Sequence, residues 1–457
     1  MKLVFALSNP GAFIFYDEVA RYLAGQGHEI EIWHGPITKA NITDRALQAA
    51  QSDTGTCQSQ EMHASRWHHI SWELRGLIDC GVYFNSAHLS PWLEKRWEQY
   101  LSPLLQKTLN VPLVRNWIFS KKAQNCLRVI ERHAPLDMRI IRQLKSSKAD
   151  VLMASPLIYG RSYEADYVKS AQFLGIPVVA IVQSWDNLTT KGTYHSIPDL
   201  LLVWNQPLVE EAVEIHNIPR EKIVVTGAPR FDPWFATVPS CTRKDFLDKA
   251  GLNMDDQYVT YLCSSNSIAG DETEFVCDFA SALSSNLNTK HLKVVVRPYP
   301  SNAKIWENIS RNNIIVWPKG GDIPDTPLAR SVFFDTLYYG IAVFGVNTTA
   351  FLEAAVVDKP CVTAFTGRYQ RTQVESAHFK HLLRADFIEI AEGFEHAAEL
   401  ISRIEKGADI KASKRKNFVR DFMRPHGVEK PAAPIMGRAI EAFAMGLSVE
   451  QARSSLL

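Results

Sequence analysis

The stretch Ala342-Val343-Phe344-Gly345-Val346-Asn347-Thr348-Thr349-Ala350-Phe351-Leu352-Glu353-Ala354-Ala355 decides the reading of this chain. A short apolar run ends at Gly345, a polar turn of one Asn and two Thr follows, and apolar and small residues at helical spacing resume from Ala350. An unalternating apolar run suits a strand buried on both faces, as in a parallel sheet covered by helices. Free N–H groups at the helix start, beside the Thr348 and Thr349 hydroxyls, suit a phosphate or diphosphate. Glu353, one turn further, is placed to accept hydrogen bonds from ribose hydroxyls. The same residues also read as an ordinary N-cap, with Glu353 only favouring the helix start.

Working outward, the strand–turn–helix pattern recurs in both directions. In the first half, strands are expected at 2–7, 28–33, 150–154, 177–182, 199–204 and 222–226, with helices at 13–23, 163–174 and 207–216 between them. In the second half they are expected at 258–263, 292–297, 313–317, 341–344 and 360–364, with a helical stretch from about 393 to the end. This alternation predicts an α/β protein of two Rossmann-like domains, 1–236 and 246–457, with a helical insertion at about 37–147. Residues 37–75 read as a polar insertion or long loop, and 91–147 as helices broken at Pro103, Pro112 and Pro135. Ligands of such sheets bind at the carboxyl ends of the strands, so two facing domains would form a cleft.

Composition narrows the function classes. The chain has 457 residues, 50 Lys and Arg against 49 Asp and Glu, and a formal net charge of +1. Wholesale disorder is excluded, and so is a nucleic-acid binder that works through a broad basic field. Anion binding must therefore be local. The seven Cys are scattered without a CxxC pair, which points to buried thiols in a reducing, cytoplasmic compartment rather than to a disulfide framework or a zinc site. The opening apolar run is too short for a signal peptide and reads as a first strand. No run of about 18 apolar residues is present to span a bilayer.

The pattern from Gly345 to Glu353, followed by Asp358-Lys359-Pro360, resembles the donor-nucleotide motif of GT-B glycosyltransferases and of the related UDP-N-acetylglucosamine 2-epimerases. Pro10-Gly11, with Gly27-His28-Glu29 before the second strand, resembles the acceptor-side domain of that superfamily. Val225-Thr226-Gly227-Ala228-Pro229-Arg230-Phe231-Asp232 resembles its TG-x-P-R-x-D segment in epimerases and CDP-glycerol glycerophosphotransferases. Arg297-Pro298-Tyr299-Pro300 resembles the RPHP segment of the latter, with Tyr299 in place of the His, so no role of that His carries over. The resemblance covers most of the chain outside about 37–135. It implies a GT-B fold, with donor contacts from Gly345, Asn347, Thr348, Thr349 and Glu353, and no metal ion.

Other residues join this list by position. Ser264 and Ser265 follow the strand at 258–263 and suit donor phosphate or a helix N-cap. Arg297 ends the next strand, as a phosphate or carboxylate clamp. The loop Ser184-Trp185-Asp186-Asn187-Leu188-Thr189-Thr190-Lys191 leaves the strand at 177–182. There Trp185 offers an aromatic face, Asp186 a general base, and Asn187 and Lys191 acceptor contacts. The alternative is an Asx-turn with Trp185 packed inward. Asp232 reads as a second candidate base, or as a salt-bridge partner of Arg230. His378 reads as a proton shuttle or as a structural histidine. Pro10 and Gly11 mark the acceptor side. No Asp-x-Asp pair follows a strand where a metal-dependent transferase would hold its cation, and no cofactor is expected beyond a nucleotide sugar as co-substrate.

Residues 111–129 mix Leu113, Val114, Trp117, Ile118 and Phe119 with Arg115, Lys121 and Lys122. They read first as a core helix on the first sheet and second as an interfacial helix. The basic run 411–424 reads as a solvated helix face. The expected function is a nucleotide-sugar-dependent, metal-independent glycosyltransferase of cell-surface glycan or glycolipid synthesis, with a glycan or lipid-linked acceptor. CDP-glycerol-type phosphotransfer, nucleotide-sugar epimerisation and a non-catalytic binding protein are the rivals. Peripheral contact with the inner membrane face stays open.

Overall fold

A computed structural model describes residues 1–36, 45–54, 57–86, 93, 97–158, 161–309, 311–454 and 456. The chain divides into two compact units: unit 1 is Met1–Arg230 with Phe422–Leu457, and unit 2 is Phe231–Asp421.

Unit 1 is built on a parallel sheet of β1 (Lys2–Leu7), β2 (Glu29–His34), β3 (Cys57–Glu61), β4 (Val151–Ser155), β5 (Val178–Ile181), β6 (Leu200–Val203) and β7 (Ile223–Val225), in the order β3-β2-β1-β4-β5-β6-β7. The central strands are buried throughout, as Val151, Leu152, Val178, Val179, Leu200 and Leu201 at zero exposure illustrate. Burying each such side chain stabilises the fold by about 1.5–3 kcal/mol. The expected helix at 13–23 is instead a 3-10 turn, Pro10–Phe15, followed by a helix, Asp17–Gly25. Asn9 caps the turn by accepting from Ala12 N at 3.1 Å.

Unit 2 carries β8 (Tyr258–Leu262), β9 (Lys293–Arg297), β10 (Ile314–Val316), β11 (Val343–Gly345), β12 (Cys361–Ala364) and β13 (Ile388–Ala391), again parallel, in the order β10-β9-β8-β11-β12-β13. Its core stacks Phe279 on Phe344 at 3.9 Å between ring centroids. Gly345 is required where β11 meets β8, because a Cβ there would stand 2.9 Å from the Leu262 carbonyl oxygen.

Four expectations need correction. The chain end does not belong wholly to the second domain. The helix Ala432–Ala444 lays Ile435, Met436, Ala439 and Ile440 into the core of unit 1 beside Val19 and Leu23, and Glu441 pairs with His28 at 2.8 Å. The insertion does not begin at 37: a helix Arg45–Thr54 and the edge strand β3 continue the first sheet before the helix His68–Asn85. Residues 37–44 lie outside the described residues. The segment 111–129 is two helices, Pro112–Ile118 and Lys121–Arg132, the second capped by Ser120, and its Leu113 and Trp117 face solvent rather than the sheet. Finally, the basic run is not simply solvated. Arg415 is buried and bonds Asp358 and Asp409, while Lys411 and Lys414 pair with Asp386.

Candidate nucleotide site

Strand order places the candidate site residues of unit 2 at one end of its sheet. From β8 the chain moves outward through β9 and β10, then returns to place β11 on the other side of β8. The carboxyl ends of β8 and β11 are thus the switch point of this sheet, where the following loops diverge and leave room for a ligand. Ser264 follows β8 and Asn347 follows β11. They meet there: the Asn347 N–H donates to Ser264 Oγ at 3.4 Å, and Thr348 Oγ1 donates to the Cys263 carbonyl at 3.4 Å.

Asn347 is almost wholly buried and is held by a network. Its Nδ2 donates to the Thr372 carbonyl at 2.7 Å and to His378 Nε2 at 3.1 Å. His378 Nε2 is then the acceptor nitrogen, and Nδ1 faces Ser376 Oγ at 2.9 Å. A histidine so engaged orients Asn347, which favours a positioning role over the expected proton shuttle. With Nδ2 committed, Asn347 Oδ1 is left without a hydrogen-bond partner among the described residues. Asn302, in the 3-10 turn Pro300–Trp306 after β9, is in the same state. Its Nδ2 donates to the Ser264 carbonyl at 3.2 Å, and its buried Oδ1 has no hydrogen-bond partner among the described residues.

Arg297 closes the set. It is the last residue of β9, only 4% exposed, and neither Nη1 nor Nη2 has a partner among the described residues. The guanidinium lies 4.0 Å from the centroid of the Phe333 ring. Burial pushes its pKa down to about 10, and the negative charges of Asp322 and Glu353 recover only part of that fall. A buried guanidinium with both Nη groups available matches the geometry of an anion with paired oxygens.

Glu353 lies in the first turn of the helix Ala350–Val356 and is buried, with its charge felt at Arg297. That helix has seven residues, so its dipole is a modest source of positive potential, and Arg297 carries more of it. Thr349 is the N-cap residue but makes no side-chain cap bond, whereas Thr348 Oγ1 accepts from Ala350 N at 3.3 Å. Ser265 borders the site, with its hydroxyl 3.0 Å from that of Ser267.

The wall behind contains Glu272, which position alone did not single out. It accepts from Ser264 N at 2.8 Å and from the Tyr261 hydroxyl at 2.8 Å, and burial pushes its pKa up to about 7. Gln373 carries no such signal either. It donates to the Val346 carbonyl at 3.1 Å and to Thr363 Oγ1 at 2.7 Å, tying the turn after β11 to β12. The sequence signal was a polar run after β12, in which only His378 stood out.

In unit 1 the loop after β5 departs from expectation. Trp185 is buried and presents no open aromatic face. Asn187 is buried too, and its Oδ1 accepts from both Gln183 N and Ser184 N at 2.9 Å, which closes the loop on itself. These two are corrected from acceptor contacts to loop structure. Asp186 keeps partial exposure; Thr190 Oγ1 donates to its Oδ2 at 3.0 Å, and Lys191 Nζ lies 3.6 Å away. Pro10 and Gly11 stand at the carboxyl end of β1, where the chain enters its 3-10 turn. Opposite them, at the switch point of this sheet, Ser155 ends β4 and donates to the Ile181 carbonyl at 2.7 Å. Asp232 is in unit 2, buried in the first turn of the helix Asp232–Ala236, while Arg230 in unit 1 stacks over Phe15 at 4.8 Å.

Neither a protein-family profile nor a curated protein sequence matches the chain. Solved structures do match in fold. A UDP-GlcNAc 2-epimerase from Neisseria meningitidis bound to UDP-GlcNAc aligns at TM-score 0.54 and 10% identity, over 97% of this chain and 100% of that one. The Methanocaldococcus jannaschii UDP-GlcNAc 2-epimerase, in complex with UDP-GlcNAc and UDP, aligns at 0.53 and 12% identity, over 98% and 100%. A glycosyltransferase from Rickettsia africae aligns at 0.52 and 12% identity, over 97% and 98%. The likeness shows the fold, two Rossmann-like α/β units of the GT-B class.

Proposed function

We propose that the chain is a cytoplasmic, metal-independent glycosyltransferase that moves a sugar from a nucleotide-activated donor to the hydroxyl of a glycan or lipid-linked acceptor in cell-surface glycan or glycolipid synthesis. The observation that carries this reading is the buried guanidinium of Arg297 at the carboxyl end of β9, whose two Nη atoms have no hydrogen-bond partner among the described residues. Diphosphate oxygens would fill its fork and relieve the uncompensated charge. The Oδ1 atoms of Asn347 and Asn302 would accept from donor hydroxyl or N–H groups, and Glu353 from the ribose, beside Gly345, Thr348, Thr349, Ser264 and Ser265. As the donor bond breaks, negative charge grows on the leaving diphosphate. Arg297 already stands there, held by Phe333, so it stabilises that charge without reorganising. Asp186 is the first candidate to deprotonate the acceptor hydroxyl and Asp232 the second, with Lys191, Pro10 and Gly11 on the acceptor side. His378 acts through Asn347.

A second reading, epimerisation of the nucleotide sugar itself, is favoured by the fold likeness to UDP-GlcNAc 2-epimerases. It needs the same donor site and no acceptor. Thermal shifts with UDP, CMP, CDP and GDP test the shared part: stabilisation by one of them is expected, and no shift at millimolar nucleotide would overturn both readings in favour of a non-catalytic protein. Turnover of the matching nucleotide sugar then separates them, since epimerisation proceeds without acceptor, and CDP-glycerol as sole productive donor would instead mark a phosphotransferase.

A further inference from the structure

We propose that the outer face of the helices Pro103–Leu109 and Pro112–Ile118 in unit 1 docks onto a membrane surface rich in anionic lipid. The inner side chains of this region make a small core of their own, in which Leu109 and Phe119 pack with Leu77, Tyr83, Trp97 and Leu101. The outer ones are left in water: Leu104, Leu113 and Trp117 are 74%, 83% and 70% exposed. Leu113 and Trp117 stand four residues apart and share one stripe of their helix. Tryptophan is a side chain that settles at headgroup depth, its ring in the acyl boundary and its N–H toward water.

Charge selects the occupant. From Gln99 to Ile130 the sequence has five Lys or Arg and no Asp or Glu. Arg115 is engaged by Glu98 at 2.7 Å, and Arg128 is half-buried. Lys107, Lys121 and Lys122 are exposed and have no ion-pair partner among the described residues. In a chain of net charge +1 this is a local run of positive charge: Lys107 stands three residues from Leu104 on one helix, and Lys121 and Lys122 open the helix that follows Trp117. Apolar side chains flanked by uncompensated lysines match an interface where acyl chains lie just beneath anionic headgroups. No helix among the described residues is long and apolar enough to cross a membrane, so the association would lie in the membrane plane. The proposal is independent of the reaction proposed above.

Co-sedimentation of the full chain with phosphatidylcholine vesicles, with and without phosphatidylglycerol, at about 0.1 M salt tests it. Binding is expected to the anionic vesicles, with little to the neutral ones, and to weaken as salt rises. The double variant Leu113→Ser/Trp117→Ser should lose about a hundredfold in partition, because two apolar side chains no longer enter the lipid. Lys121→Gln/Lys122→Gln should lose about thirtyfold. Both pairs are surface changes, so unchanged thermal unfolding will confirm that the variants fold. No binding to anionic vesicles, or equal binding by wild type and both variants, overturns the proposal. So does a wild-type dimer that the Leu113/Trp117 variant dissociates in the absence of vesicle binding, which would make this face a protein interface.

Discussion

Replacing Arg297 with Met sets stability and ligand binding against each other. The guanidinium is buried, both Nη atoms lack hydrogen-bond partners among the described residues, and burial lowers its pKa to about 10. At pH 7 the group is charged in the folded and unfolded chain alike, so its depressed folded pKa is an unfavourable contribution at every pH below about 10. That fall is worth about 3 kcal/mol. The contact with Phe333 at 4.0 Å returns about 1–2 kcal/mol. Met keeps the length of the stem and packs on the same ring, so Arg297→Met should leave the unliganded protein more stable by about 1–2 kcal/mol. Nucleotide binding should move the other way. Loss of two charge-assisted hydrogen bonds to a diphosphate removes about 3 kcal/mol or more, over a hundredfold in Kd. Denaturant unfolding without ligand, and calorimetric titration with UDP, measure the two effects on the same preparations. A variant that is destabilised by about 3 kcal/mol and still binds UDP with wild-type affinity would make Arg297 a structural residue and refute the reasoning.

Three further outcomes are expected. Glu353→Ala should weaken UDP binding by about 1–3 kcal/mol through loss of a charged acceptor at the ribose, and an unchanged titration would remove Glu353 from the site. Asp186→Asn should leave UDP affinity near wild type and lower turnover by about a hundredfold or more, whereas full activity would exclude Asp186 as the base. Burial pushes Glu164 up to about 8 against 4.5 for an ordinary glutamate, so the folded chain retains a proton that the unfolded chain releases across that window. Its contribution therefore falls as pH rises from 4.5 to about 8 and is flat above. The Tm advantage of Glu164→Gln over wild type should grow across that range, and a constant difference between the two would contradict the assignment.

The interior of the fold was legible because buried parallel strands are short, apolar and punctuated. Residues 177–182 and 292–297 announce β5 and β9 almost to the residue. The edges were not. β3 is Cys57-Gln58-Ser59-Gln60-Glu61, with a polar face and a neighbour only in β2, so nothing apolar marked it. β13 was passed over for a related reason, as a four-residue edge strand just ahead of a strong helix. The return of the chain end to unit 1 could not be read locally, since an apolar helix face such as Ile435–Ile440 fits either core. In the site, residue type and position after a strand picked out Ser264, Arg297, Asn347 and His378, which the fold brings to one end of one sheet. The same logic over-read the loop after β5, where Trp185 and Asn187 serve the loop itself. Glu272, Asn302 and Gln373 escaped notice because their importance lies in which backbone groups they hold.

The central claim is that the carboxyl ends of β8, β9 and β11 hold a nucleotide diphosphate. A crystal structure of the protein grown with UDP tests it most directly. The account predicts diphosphate oxygens within hydrogen-bond distance of both Nη atoms of Arg297, with Glu353 at the ribose. UDP bound elsewhere, with the Arg297 fork still empty, would contradict it.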